Sequence, residues 1–235
     1  MRKSFKFLFS VVIVAALVIG YYLLRNPMSV GRSARVVQWI RDPSAHPEWA
    51  ATAKQSCASA PFILPSDGFI GYLWDDSFKV GHRHQGIDIF GGKQPGLTPI
   101  YSAYDGYLTR LSDWKSSVII RIPKDPLQPY RQIWTYYTHM ADAHGNSYIS
   151  ANFPPGTTDM WIPAGTLLGY QGNYSGDPDQ PVGVHLHFSI VLDDGNGKFE
   201  NELEISNTAD PSPYFGMNLN AKENLNDIVS CTAVN

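Results

Sequence analysis

Seven histidines hold most of the reactive chemistry of this chain: His46, His82, His84, His139, His144, His185 and His187. Imidazole titrates near neutral pH and is a common ligand for zinc, so a cluster of them suits acid–base catalysis, metal binding or both. The segment VGVHLHFSIV reads as a strand. Alternation then sends Val184, Leu186, Phe188 and Ile190 to one face and His185, His187 and Ser189 to the other. The apolar face seats the strand on a core and holds two imidazoles side by side on the open face. Alone this pair is a weak signal, because with seven histidines an H-x-H pair arises readily by accident, and His82 and His84 already form a second one. The segment HRHQGIDIF sets His84 and Asp88 four residues apart, with Gly86 between them. In a straight strand they would stand about 13 Å apart at the backbone. Two ligands that share one ion, each about 2.1 Å from it, need a bend, and Gly86 is the residue that tolerates one. A helix would also bring positions i and i+4 together, but Gly86 and two isoleucines argue against it. The third element is His139, at the end of the β-like run IWTYYT; a lone histidine there is more often structural than catalytic.

Taken in order, His84-x-x-x-Asp88, His139 and His185-x-His187 form a pattern that resembles the lysostaphin-like, LytM-type zinc metallopeptidases, bacterial cell-wall endopeptidases. FILPSDGFIGYLWDD is similar to the opening strand of that family. HQGIDIFGGKQPGLTPIYSAYDGYL is similar to its H-x-G-x-D segment and the strand pair that follows, and IPAGTLLGYQGNYSG to the stretch just before HLHF. The likeness runs from about Pro61 to Ile190. It implies an all-β fold, an antiparallel barrel-sandwich hybrid with the metal in a groove. It also implies one Zn2+ held by His84, Asp88 and His187, with His139 and His185 as the catalytic pair. Two stretches are longer than the family pattern, Met140–Ile162 and Asp177–Val182; both are expected to flank the groove and bear on substrate preference. His82 and His144 match nothing and are expected at the surface.

The implied ligand set has a consistent charge. Two neutral imidazoles and one carboxylate leave a zinc site at +1, and three protein ligands with one open position are the catalytic pattern, not the structural one. No H-E-x-x-H motif occurs to supply a glutamate base, and the chain has only five glutamates. His139 and His185 are therefore expected to divide the work of base and oxyanion stabiliser. The expected substrates are peptidoglycan peptides, in stems or cross-bridges. The alternatives are a non-catalytic wall-binding or hydrolase-activating module on the same fold, and a zinc carboxypeptidase with one end of its pocket closed.

The elements that must position these residues are short. From Pro61 onward, β-rich runs alternate with Gly, Pro, Asn and Asp, as expected of an antiparallel β domain spanning residues 57–235. Ala141–Met160 reads as a long loop. Residues 26–56 read as a stalk or short helices, with Val30, Ala34 and Val37 at helical spacing and Pro43 and Pro47 as breaks.

The first 25 residues have a different texture. Phe7–Leu24 is uncharged and would span about 27 Å as a helix, close to the hydrocarbon thickness of a bilayer. Arg2, Lys3 and Lys6 precede it, so the positive-inside rule places the rest of the chain outside the cytoplasmic membrane, in a bacterial cell envelope. Small residues near Gly20 suit a cleaved signal peptide, whereas the apolar residues beyond it favour a retained transmembrane anchor. Cys57 and Cys231, the only cysteines, suit a disulfide in an exported protein. Four of the 18 basic residues lie in the first 25, leaving 14 against 21 acidic ones in the body. An acidic body without a basic tract excludes a nucleic-acid partner.

Overall fold

A computed structural model of the chain describes residues 11–21, 27–57, 59–77, 81–224 and 226–231. The apolar run Phe7–Leu24 is described only over 11–21, which form an exposed helix, α1; its two ends lie outside the described residues. Among the described residues no helix is long and apolar enough to cross a membrane.

Next comes helix α2 (Pro27–Arg41), followed by two 3-10 turns. The strands are β1 (Ala50–Ala51), β2 (Gly68–Tyr72), β3 (Ile87–Phe90), β4 (Pro99–Tyr101), β5 (Gly106–Thr109), β6 (Val118–Ile122), β7 (Ile133–Thr138), β8 (Met160–Ile162), β9 (Leu167–Tyr170), β10 (Leu186–Leu192) and β11 (Thr208–Ala209). A short helix α3 (Ser212–Phe215) closes the order. Nine strands form one antiparallel sheet in the order β1-β2-β3-β10-β7-β6-β5-β8, with β11 beside the far half of β10; β4 and β9 pair separately.

β10 is the centre of this arrangement. Leu186, Phe188 and Ile190 are fully buried and pack with Ile87, Ile89, Ile120, Ile133 and Tyr137 in the main core. The other face of the sheet changes character along its length. Toward one end it carries the cluster of Ile119, Trp134 and Val191, and toward the other it carries His187. The register sets Asp88 of β3 and Thr138 of β7 on either side of His187, in one row across three strands.

The helical spacing of Val30, Ala34 and Val37 located a helix but not its inner face. Ala34 and Val37 are exposed, while Arg32, Val36 and Trp39 are buried against the sheet. The stretch Ala141–Met160 is irregular but anchored: Ile149 and Phe153 are buried, and Arg110 donates to the Phe153 carbonyl and to Ser147. Cys57 and Cys231 form a disulfide across 174 residues of sequence, with their Cα atoms 5.4 Å apart.

Candidate metal centre

Asp88 and His187 meet because their strands are paired in register, and their side chains leave the same face of the sheet. His84 reaches them from the loop before β3, after a bend at Gly86. The bend does not need a left-handed backbone, since Gly86 has no positive φ. Glycine is required there for space: a Cβ would stand 2.0 Å from the Phe188 carbonyl oxygen of β10. The loop therefore crosses β10 closely enough to bring His84 over the strand.

Three donor atoms converge. His84 Nε2 lies 3.1 Å from Asp88 Oδ1 and 3.0 Å from His187 Nδ1, and His187 Nδ1 lies 2.9 Å from Asp88 Oδ1. All three residues are buried. The outer nitrogens fix the tautomers. His84 Nδ1–H donates to the Leu73 carbonyl at 2.9 Å, which leaves Nε2 as the lone-pair nitrogen at the cluster. His187 Nε2–H donates to Glu202 Oε1 at 2.8 Å, which leaves Nδ1 facing inward. Two inward imidazole nitrogens and one carboxylate oxygen, packed this closely, need a positive charge among them, either a proton on His187 Nδ1 shared with Asp88 or a metal cation. A tetrahedral ion about 2.0–2.1 Å from each ligand sets ligand atoms about 3.3 Å apart, close to the spacing seen. The residues therefore fit a zinc ion.

Glu202 was not legible in the sequence, where it matched no motif. It adds a second carboxylate to the centre, so the immediate charge around a divalent ion is near zero, not the +1 of the ligands alone. The acidic partners act on His187 in the absence of metal. Burial disfavours its imidazolium, but Glu202 on one nitrogen and Asp88 on the other push it up to about 10. Burial also opposes ionisation of Asp88, yet His84, His185 and His187 outweigh it and hold that carboxyl well below its usual range.

His139 and His185 stand beside the cluster as neighbours, with ring centroids 4.4 Å apart. His139 follows the last residue of β7 and has a left-handed backbone, φ +70°, which turns its ring back over the sheet. Its Nδ1–H donates to the Tyr174 carbonyl at 2.6 Å, and His185 Nδ1–H donates to the Gly183 carbonyl at 2.6 Å. Both rings thus turn Nε2 toward the cavity as an acceptor. His185 Nε2 is 3.7 Å from Asp88 Oδ1. Burial, with His185 nearby, lowers His139 to about 3, and burial lowers His185 as well, so both imidazoles are neutral at pH 7.

These five residues line one cavity of about 600 Å³. Of the two long stretches, Asp177–Val182 reaches this cavity through Val182, with Ser175 and Gly183 lining it from just outside that stretch; none of residues 141–162 lines it. His82, expected at the surface, is half-buried and lines the same cavity, whereas His144 is exposed.

No family model and no curated protein matches the chain. Solved structures do. A protein assigned as a glycyl-glycine endopeptidase LytM from Ruminococcus gnavus is 25% identical, with a TM-score of 0.35, over 55% of this chain and 44% of that one. Lysostaphin is 20% identical, with a TM-score of 0.40, over 62% and 49%. A substituted catalytic domain of EnpA, a prophage-encoded M23 protein from Enterococcus faecalis, is 20% identical, with a TM-score of 0.37, over 63% and 95%. The chain spans about half the length of the first two. The chain is thus similar, over part of its length, to these solved LytM-type and M23 proteins.

Proposed function

We propose that the chain is a zinc-dependent endopeptidase that hydrolyses peptide bonds in peptidoglycan stems or cross-bridges, outside the cytoplasmic membrane. The observation that carries this reading is the geometry of one cavity. It holds three converging metal donors, each oriented by its own surroundings, and two more imidazoles that turn acceptor nitrogens into the same space. A purely structural zinc site would have no use for the second pair. The names of the similar proteins, a glycyl-glycine endopeptidase and an M23 catalytic domain, point to the same class of reaction. The disulfide supports an oxidising compartment, and the apolar run near the N-terminus supports export and anchoring.

His84, Asp88 and His187 would hold the ion. When bound, zinc supplies Lewis acidity, which polarises a carbonyl and lowers the pKa of water. The chain's own groups do the rest. His139 and His185 start neutral, so either can accept a proton at Nε2 while its Nδ1–H stays on a backbone carbonyl. Once protonated, the same nitrogen becomes a donor to a developing oxyanion or a leaving amine. Asp88, 3.7 Å from His185 Nε2, stabilises the charged form of that ring. The Glu202 carboxylate keeps His187 in the tautomer with Nδ1 inward.

The test is digestion of purified peptidoglycan with the zinc-loaded chain, with and without a chelator. Soluble peptide fragments that appear only with metal are the expected result. Zinc-loaded protein that binds the wall and releases nothing would favour the non-catalytic module.

A further inference from the structure

Helix α2 is fixed to the body of the domain by polar contacts that are buried or part-buried. Arg32 is 3% exposed; its guanidinium lies 3.3 Å from Asp76 and donates to the Asn224 carbonyl. Ser33 and Tyr72 share a hydroxyl hydrogen bond of 3.0 Å, and the Trp39 indole donates to the Phe90 carbonyl at 2.6 Å. Separating a buried ion pair from its partner is strongly unfavourable, so α2 acts as a fixed wall and not as a hinged lid.

That wall faces the cavity. Val36 and Ile40, one helical turn apart, line it. Phe90 stands between the helix and the metal centre. It packs with Val36 and Trp39, and its ring stacks on His185 at 5.0 Å. Val182 and Gly183 border the same space from the loop before β10. A Cβ at Gly183 would sit 3.8 Å from Phe90 Cε1 and 3.9 Å from Ile40 Cδ1, ordinary van der Waals spacing. The corner between Ile40, Phe90 and Gly183 therefore has room for a methyl-sized carbon in ordinary van der Waals contact with both side chains. The cavity has a polar end, where the metal donors meet, and an apolar end of Val36, Ile40, Phe90 and Val182, with His185 at the junction.

We propose that this apolar end is a side-chain subsite for an aliphatic residue next to the cut bond, and that it makes the chain select such peptides over all-glycine ones. The proposal rests on the endopeptidase reading for the place of the cut; the binding preference itself does not require cleavage. Ile40 and Val182 are partly exposed while Val36 and Phe90 show only their edges, so an aliphatic side chain covers mainly Ile40 and Val182, which glycine leaves wetted. A fitted apolar pocket discriminates by about tenfold or more for one methylene.

The experiment uses the full chain loaded with zinc and carrying His139→Ala to suppress turnover. Matched peptides with Gly, Ala or Leu at each of the two residues flanking the expected bond are titrated by NMR. At one flanking position, the Ala or Leu peptide should bind at least about tenfold tighter than the Gly peptide. Ile40→Ser, on a chain whose circular dichroism is unchanged, should bring the peptides within about threefold of each other. Gly183→Val, which fills the corner, should weaken the Leu peptide and spare the Gly peptide. Equal affinities for Gly and aliphatic peptides at both positions in the parent protein overturn the subsite. Cleavage by the unsubstituted chain separates the two claims. Preferential binding without any cleavage refutes the endopeptidase reading and leaves the subsite standing. Cleavage of all-glycine peptides as fast as the others refutes the subsite and leaves the endopeptidase.

Discussion

Glu202 offers the sharpest test of how the centre is built. Its carboxylate meets His187 Nε2 at 2.8 Å, with only 16% and 10% of the two side chains exposed. A hydrogen bond to a charged group at such a site contributes about 1.5–3 kcal/mol, or about 10- to 150-fold in an equilibrium constant. Partners of metal-bound histidines typically govern affinity by about 10- to 100-fold, the same range. Corrected for proton competition at His187, Glu202→Ala should therefore weaken zinc binding by at least about tenfold, and Glu202→Gln, which keeps an acceptor oxygen, by about threefold. The effect of pH has a definite sign. Without metal, Glu202 and Asp88 push His187 up to about 10, so at neutral pH zinc must displace a proton from Nδ1. Removing Glu202 weakens that competing proton as well, so the alanine variant's deficit should be larger at pH 8.5 than at pH 7. Zinc titration of the parent protein at pH 7 in weak buffer should release about one proton. The assay is competition with a chromophoric chelator at the two pH values. An alanine variant of unchanged circular dichroism that binds zinc within about twofold of the parent at both pH values would refute the reasoning.

Four further outcomes follow from the same geometry. His187→Ala should abolish zinc binding, whereas His139→Ala and His185→Ala should retain zinc and lose about 10² to 10⁴ in turnover, read by metal analysis and peptide cleavage. Gly86→Ala should destabilise the chain by about 3 kcal/mol, a Tm drop of roughly 6–12 °C, because the new Cβ would lie 2.0 Å from the Phe188 carbonyl oxygen; calorimetry of the metal-free chain reads this. His139 has a lowered folded pKa, about 3, so as pH falls from about 6.5 toward 3 the unfolded chain takes up a proton that the folded chain refuses. Its contribution should cost about 1–2 kcal/mol by pH 5, and His139→Asn should flatten the fall in Tm over that range. Reducing the Cys57–Cys231 bridge, which spans 174 residues, should lower stability by at most about 5 kcal/mol, measured by denaturant unfolding with and without reductant.

The parts of the site that follow a strand period were legible in the residues. The alternation in VHLHFSIV placed His185 and His187 on one face and Leu186, Phe188 and Ile190 on the other, as the structure does. The need for a bend at Gly86 was legible too, but its reason was not, because the obstacle is the Phe188 carbonyl about a hundred residues away. Glu202 escaped notice because it lies in irregular backbone, 15 residues past His187, and only the folding of that loop over the sheet gives it a role. Helix α2 was visible as a helix, but its inner stripe was not. Val30, Ala34 and Val37 had the apolar spacing, yet the buried stripe includes Arg32, whose charge is acceptable inside only because Asp76 and Asn224 receive it. Partners distant in sequence decide such matters, and local pattern does not carry them.

Mass spectrometry of peptidoglycan treated with residues 27–235, which keep α2 as a wall of the cavity, tests the central claim most directly. The account predicts fragments with new peptide termini within stems or cross-bridges, formed with zinc, absent with chelator and absent with His185→Ala. Zinc bound at one equivalent with no new termini in any wall preparation would contradict it.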